Sequence, residues 1–482
     1  MKRKTAYIII VVCVLVAVTS TVAIDWLYNS FGNLTINEIV FQLKVPMEGT
    51  STQQVWSFLE KCPWKIILFT VMLAFLLIYP TKKRKKAVLI STIVSILILI
   101  ISSTRLVIVT DVVGYIINEV NTSTFIEEEY VDPKEVKIQF PEQKRNLIYI
   151  FLESMETTYY AKQDGGLSES DLIPEISKLA KENLNFSDTS NIGGAYTPYA
   201  TTWTSAAMTA QTIGVPLKIG IEDNAMSEYS VFLSGAHSMG EILEDNGYHN
   251  FLLLGSDATF GGRRNLFTQH GNYEIWDFES AVEEGKETEQ IWWGYTDDKL
   301  FEYAKEKLTN LSKKQQPFNF TMLTADTHFQ DGYQCEDCQN KWDEKYKNVI
   351  SCSSKKVGEF IKWIKKQEFY ENTTIIISGD HLTMQTDFFE LEEGQEYEKK
   401  VVNLIINPAI EATNTNRKYS TFDLYPTTLG ALGVEIEGNK LALGTNLFSE
   451  ELTLVEKYGT KHMDKELMKT SKFYDSNILV TK

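Results

Sequence analysis

Residues Asn372–Met384 read NTTIIISGDHLTM. A run of β-favouring residues stops on an acid and a histidine. The plain reading is a buried strand closed by a polar turn. The other places Asp380 and His381 at the mouth of a sheet, where they hold something. Three more runs end in the same way. NLIYIFLES, from Asn146, stops on Glu153 and Ser154; YHNFLLLGSD, from Tyr248, on Ser256 and Asp257; FNFTMLTADTH, from Phe318, on Asp326, Thr327 and His328. Helical patterns alternate with them: DLIPEISKLAKENL from Asp171, DDKLFEYAKEKLTNL from Asp297 and KKVGEFIKWIKKQ from Lys355. VVNLIINP, from Val401, reads as one more strand. Short apolar runs separated by amphipathic helices predict an α/β domain whose mostly parallel, buried sheet is flanked by helices. In such sheets ligands sit beyond the carboxyl ends of the strands. Parallel strands would bring all four polar endings to one edge, with two of the six histidines of the chain among them.

The chain has 482 residues and a formal net charge of -17. That balance argues against nucleic acid as a partner, because binding phosphate backbones needs basic surface. Apolar residues are concentrated near the N-terminus. Basic residues in MKRK precede an uncharged stretch over Thr5–Ile24; a second apolar run covers Trp64–Pro80, and a third Ala87–Val109 after the basic TKKRKK. The lengths predict three membrane helices, at about 5–24, 64–80 and 87–109. A cleaved signal peptide is the alternative for the first. The positive-inside rule keeps the Met1–Lys4 end and the Lys82–Lys86 cluster in the cytoplasm, so the Asp25–Pro63 loop and everything after about Asp111 lie outside. The expected organisation is a membrane domain over 1–110, an acidic, proline-containing connector over 111–143, a catalytic domain over 144–450 and a C-terminal tail over 451–482. The charge-rich Phe388–Lys400 stretch reads as a solvated loop and helix face.

Cys335, Cys338 and Cys352 fall in the outer part, where disulfides are permitted. A redox or metal pair at Cys335-x-x-Cys338 competes with a structural disulfide using two of the three; the disulfide is the simpler reading, and the sequence leaves the pairing open.

Glu153, Asp380 and His381 make a mixed oxygen and nitrogen ligand set, which suits Mn2+ or Zn2+ better than Ca2+. A bound cation lowers the pKa of a coordinated hydroxyl and neutralises charge developing on a phosphoryl group. The hydroxyls are concentrated in GGAYTPYATTWTSAAMTAQTIGVPL, Gly193–Leu217. There WTSAAMTAQ reads as a helix start, with a hydroxyl near N–H groups that favour anions. The plain reading is that Thr204 or Ser205 caps that helix.

Taken together, these stretches resemble the alkaline-phosphatase-like superfamily, and within it the membrane-anchored phosphoglycerol transferases and lipoteichoic-acid-synthase-like enzymes. The resemblance rests on NLIYIFLESMETTYY, TTWTSAAMTAQTIGVPL, WGYTDDKLFEYA, FTMLTADTHFQDGYQC, IIISGDHLTM and YSTFDLYPTTLGALGV, which occur in the family's order between about Arg145 and Phe448. It implies a sulfatase-like catalytic domain and one divalent metal, Mn2+ foremost and Zn2+ or Mg2+ otherwise. Its ligands would be Glu153, Thr204, Asp380 and His381, with Thr204 also the nucleophile. His328 is implied to bind the phosphate or protonate a leaving oxygen, and Asp257 and Arg263 to hold the headgroup. A tryptophan of the related synthases is replaced here by Gly261. The implied reaction moves glycerol phosphate from phosphatidylglycerol, through a glycerophospho-threonine, to an extracytoplasmic glycan or polyglycerol phosphate hydroxyl. Such an enzyme belongs to cell-envelope biogenesis, on a multi-pass cell-membrane protein with its catalytic domain outside. The rivals are a phosphoethanolamine transferase, a sulfatase, whose C/S-x-P-x-R signature is absent, and a non-catalytic envelope protein.

Overall fold

The alternating runs become a seven-stranded sheet in the computed structural model, which describes residues 3–31, 36–45, 52–82, 85–220, 225–385, 388–389 and 396–480. Lys83 and Arg84 of the basic cluster, and 390–395 of the charge-rich stretch, lie outside the described residues. In chain order the strands are β1 (Ile138–Gln139), β2 (Asn146–Leu152), β3 (Gly194–Ala195), β4 (His249–Leu254), β5 (Glu274–Trp276), β6 (Phe318–Leu323), β7 (Thr373–Gly379), β8 (Val401–Ile406) and β9 (Glu435–Ile436). The main sheet runs β3-β8-β7-β2-β6-β4-β5. From β7 to β5 every pairing is parallel; β8 joins β7, and β3 joins β8, antiparallel. The four runs that end on polar groups are the adjacent strands β7, β2, β6 and β4, so their endings do share one edge.

Both faces of this sheet are covered, which is why its strands are apolar throughout rather than alternating. Side chains of β2 feed two cores in turn: Leu147, Tyr149 and Phe151 pack on one face, Ile148, Ile150 and Leu152 on the other. The helix Thr204–Ile213 belongs to the first core and is buried along nearly its whole length. Its one long polar side chain, Gln211, is satisfied there: Tyr149 Oη donates to it at 2.8 Å, and its amide donates to the Gly379 carbonyl at 3.1 Å. The helices Pro174–Glu182, Asp297–Leu311 and Lys345–Ile364 lend their apolar faces to the second core.

The chain divides into two compact units, Met1–Ile39 with Thr50–Glu119, and Val40–Gly49 with Val120–Lys482. The first holds three helices long and apolar enough to cross a membrane, Arg3–Tyr28, Phe58–Ile78 and Lys86–Val109. Within it Arg105 pairs with Asp25 at 2.6 Å, so the charge carried by the third apolar run has a counter-ion. In the second unit, residues 120–143 of the stretch read as a connector supply β1, which pairs with β9. The stretch after 450 forms the helices Leu454–Tyr458 and Thr460–Leu467, and buries Leu454, Met463, Leu467, Tyr474 and Ile478 in the first core. Its apolar residues recur at helical spacing, so the segment read as a tail is part of the folded body.

Cys338 and Cys352 are joined, tying the loop after β6 to the helix Lys345–Ile364, and the free Cys335 lies beside them. Acid-quenched alkylation of the outer unit should therefore label Cys335 alone. Cys352→Ser should lower unfolding stability by about 3 kcal/mol in urea titrations, as expected for closing a loop of this length.

Candidate active site

The β2–β7 register sets the site. Leu152 faces Gly379 across the ladder, so the next residues, Glu153 and Asp380, leave the sheet side by side. Their backbones are then pinned. Asp380 Oδ1 accepts N–H groups from Ser154 at 2.8 Å and His381 at 2.7 Å. Ser154 holds a positive φ of 54° to make that turn, which is uncommon away from glycine and concentrates at functional sites. Thr324 and Thr327, beyond the end of β6, bracket Glu153: its N–H donates to Thr324 Oγ1 at 3.0 Å, and Thr327 Oγ1 donates to its carbonyl at 2.6 Å.

Ligand atoms of Glu153, Asp380 and His381 come within 4.8 Å of one another, and all three residues are buried. His381 directs Nδ1 at the Leu382 carbonyl (2.8 Å), which leaves Nε2 as the coordinating nitrogen. That nitrogen stands 3.5 Å from Glu153 Oε1 and 3.4 Å from Asp380 Oδ2. Asp380 Oδ2 is buried and accepts no hydrogen bond. Burial and the neighbouring Glu153 carboxylate push the Asp380 carboxyl up to about 7, against the pull of His381. Two carboxylates forced together, an orphaned acceptor and an imidazole nitrogen turned toward both are what a divalent cation would relieve. The donor set is hard and mixed, as expected for Mn2+, Zn2+ or Mg2+.

Arg263, also buried, feels the charges of both Glu153 and Asp380. It is locked to its own loop by bonds to the carbonyls of Phe260 and Asp257 and to Ser256 Oγ. Burial lowers its pKa to about 10, so it stays charged near neutrality. Asp257 Oδ1 accepts the Thr259 N–H at 2.7 Å and faces Arg264 at 3.5 Å, and the carboxylate's charge also acts on Arg263. His328 directs Nδ1 at the Phe329 carbonyl (2.6 Å). The ring is only half-buried, but the groups around it desolvate it enough to push it down to about 4; the nearby His381 lowers it further and Asp380 opposes. At neutral pH it is an uncharged ring whose Nε2 accepts.

Thr204 is the first residue of the helix Thr204–Ile213 and is half-exposed. The helix is tied to the end of β7, beside Asp380, by Gln211, and to the Arg263 loop by Ser205, whose hydroxyl donates to the Gly261 carbonyl at 2.8 Å. That bond accounts for Ser205, which leaves Thr204 as the hydroxyl at the helix start. Gly261 has φ 66°, and a Cβ there would stand 2.7 Å from Ser205 Oγ, so a side chain would strain this turn and displace that hydroxyl.

The Sulfatase family model matches residues 145–434, the stretch that contains every one of these groups. The chain belongs to the sulfatase family. It is thereby a member of the alkaline-phosphatase and sulfatase superfamily, related to phosphoglycerol transferases. It is 30% identical over 325 residues to the phosphoglycerol transferase I of Escherichia coli strain 55989, covering 66% of this chain and 40% of that one. The chain thus spans well under half the length of that relative. Among solved structures, it is similar to a protein of the alkaline phosphatase superfamily from Vibrio parahaemolyticus, at 22% identity and a TM-score of 0.52 over 68% of this chain and 76% of that one. It is also similar to the lipoteichoic acid synthase LtaP from Listeria monocytogenes, at 19% identity and a TM-score of 0.51 over 68% and 82%. These two likenesses support the fold. With three membrane-length helices ahead of it, the sulfatase-type domain is the extracytoplasmic part of a multi-pass membrane protein.

Several groups escaped sequence reasoning. Thr324 looks like an ordinary strand-end residue and Gln211 like one polar residue in an apolar helix, while Ser154 and Thr327 stood in the polar strand endings without the bonding roles they have here. Glu156 is fully buried, accepts the Thr383 N–H at 2.9 Å and so fixes the turn that follows His381. The only local signal for Glu156 was its place three residues after Glu153. If the cluster is a metal centre, Mn2+ at a hundred times its Kd should stabilise the outer unit by about 2.7 kcal/mol, read as a rise in Tm. Asp380→Ala and His381→Ala should abolish that rise.

Proposed function

We propose that this sulfatase-family protein transfers glycerol phosphate from phosphatidylglycerol to a hydroxyl of an extracytoplasmic glycan or polyglycerol phosphate chain. The observation that carries the reading is the buried Glu153–Asp380–His381 cluster, with Asp380 Oδ2 accepting no hydrogen bond, at the sheet edge shared with Arg263 and His328. The relationship to phosphoglycerol transferases supports the donor. A divalent cation held by Glu153, Asp380, His381 and Thr204 would supply Lewis acidity, lowering the pKa of a coordinated hydroxyl and offsetting charge on the phosphoryl oxygens.

The chain's own groups divide the rest of the work. Thr204 Oγ1 attacks the phosphorus as its proton passes to His328 Nε2; the bond to the diacylglycerol oxygen breaks, and that oxygen takes the proton from His328. The phosphorus is then carried as a glycerophospho-threonine. An acceptor hydroxyl attacks the same phosphorus, its proton passing to His328 Nε2, and the Thr204 oxygen departs and is reprotonated. His328 fits this base role because it is uncharged and its Nδ1 is occupied by the Phe329 carbonyl. Arg263 offsets charge as bonds to phosphorus change, from a position its loop bonds already fix. Asp257 acts with Arg263 on the headgroup. The membrane helices keep the site beside the lipid it consumes, which raises the effective concentration of donor.

The test uses the full-length protein in detergent–lipid micelles with Mn2+ and headgroup-labelled phosphatidylglycerol. Diacylglycerol should be released only with metal, and intact mass should show a glycerophosphate adduct mapping to Thr204. Thr204→Ala should lose both. Arg263→Ala should lower kcat by about a hundredfold or more, the usual effect of removing a charge-stabilising donor. A Thr204→Ala protein with full activity would refute the nucleophile. Turnover of phosphatidylethanolamine alone would replace the donor with a phosphoethanolamine lipid.

A further inference from the structure

Trp293 stands at the rim of the site without a role in the chemistry above. Its ring lies over that of His328, with centroids 4.3 Å apart, and beside that of Phe260 at 5.5 Å. The Phe260 ring in turn lies 5.8 Å from the guanidinium carbon of Arg263. The two aromatic residues are only half-buried, so part of each face is open beside the two groups assigned to the phosphate.

The loop carrying Trp293 is held rigidly from both sides. Trp292 Nε1 donates to the Ala325 carbonyl at 3.1 Å, and the Asp297 carboxylate accepts the N–H groups of Ala325 at 2.8 Å and Asp326 at 3.1 Å. Tyr295 N–H donates to the Gly255 carbonyl at 3.0 Å, at the end of β4. Gly294 is required for that approach, since a Cβ there would stand 1.7 Å from the Gly255 oxygen. A large aromatic left half-open on a loop this constrained is a preformed contact surface, because little conformational entropy remains to be lost on binding. Position 261 holds a positive φ that favours glycine, so the aromatic wall here comes from Trp293 and Phe260.

The wall also has a charge character. Arg263 contributes a positive charge, and Asp257 Oδ1 is engaged by the Thr259 N–H and Arg264. An ammonium group placed here would meet the like charge of the guanidinium. An uncharged polyol would lay its C–H face on the indole and keep its hydroxyls in water.

We propose that Trp293, braced by Phe260, is the specificity-determining wall for the group carried on the transferred phosphate, and that it selects an uncharged glyceryl group over a cationic ethanolamine. The proposal rests on the phosphotransfer reading above, and the experiment separates the two. Diacylglycerol release is measured for the full-length wild type, Trp293→Ala and Trp293→Phe, with phosphatidylglycerol and with phosphatidylethanolamine. Binding of glycerol phosphate and of phosphoethanolamine to the same proteins is measured by calorimetry. Trp293→Ala should raise KM for phosphatidylglycerol about tenfold with little change in kcat, as for loss of one stacking face. It should narrow the preference over phosphatidylethanolamine and weaken glycerol phosphate binding alike. Trp293→Phe should recover most of both, with the Mn2+-dependent rise in Tm intact. If Trp293→Ala loses that rise, the comparison is read on Trp293→Leu. Unchanged KM and preference would overturn the proposal. So would a fall in kcat with a displaced pH profile at constant KM, which would mean that Trp293 only positions His328. If the wild type leaves phosphatidylglycerol untouched, the phosphotransfer reading fails. The binding arm then still decides: weaker glycerol phosphate binding in Trp293→Ala supports the wall, and equal binding refutes it.

Discussion

The parallel pairing of β2 with β7 forces two acids into one buried place. Leu152 and Gly379 are partners, so Glu153 and Asp380 emerge together where the sheet ends. Water cannot screen them there, and burial together with the Glu153 charge raises the pKa of Asp380. The protein answers half of the problem itself: two backbone N–H groups converge on Asp380 Oδ1, and a serine hydroxyl donates to Glu153 Oε1 at 2.7 Å. The other half, Asp380 Oδ2, accepts no hydrogen bond and has only the His381 nitrogen 3.4 Å away, an imbalance that a cation would relieve. The loops after β4 and β6 and the helix Thr204–Ile213 are arranged around that pair, each fixed by hydrogen bonds to a strand end or to a neighbouring loop.

Rigidity of this kind suits a reaction in which little covalent chemistry is asked of the protein. Moving a phosphoryl group is largely a matter of position and of charge already in place. Arg263 is immobilised before any substrate arrives, and His328 is held by its Nδ1 contact and covered by Trp293. The loops draw their precision from buried polar contacts rather than from apolar packing. They therefore depend on every partner being present, since a half-satisfied buried network is costly. The clasp of Asp297 on the backbone of Ala325 and Asp326 is one case, and Lys356, which bonds Asp326 at 2.8 Å, completes it.

Much was legible in the residue order because burial leaves a direct trace in it. Strands covered on both faces must be apolar throughout, so the β2, β4, β6 and β7 runs announced themselves, as did the amphipathic helices between them. The polar groups that close each run were visible for the same reason: an acid or histidine at the end of a buried strand stands out. The membrane helices were legible from length and hydropathy, although the middle one starts earlier in the structure, at Phe58. The stretch after 450 was harder, because its helices are short and their apolar residues gain meaning only from the core they enter.

Sequence alone determined the α/β class, the membrane segments and the identity of the groups that end the strands, since each follows from local patterns of burial and charge. Strand order and register were decided only in the tertiary structure, because they depend on which distant runs pair. They made Glu153 and Asp380 neighbours, although they stand more than two hundred residues apart in the chain. The pairing of Cys338 with Cys352, the capture of Ser205 by the Gly261 carbonyl and the placing of Trp293 over His328 are decisions of the same kind. Each joins residues whose local sequence carries no information about the other, and only the packing of the whole domain brings them within reach.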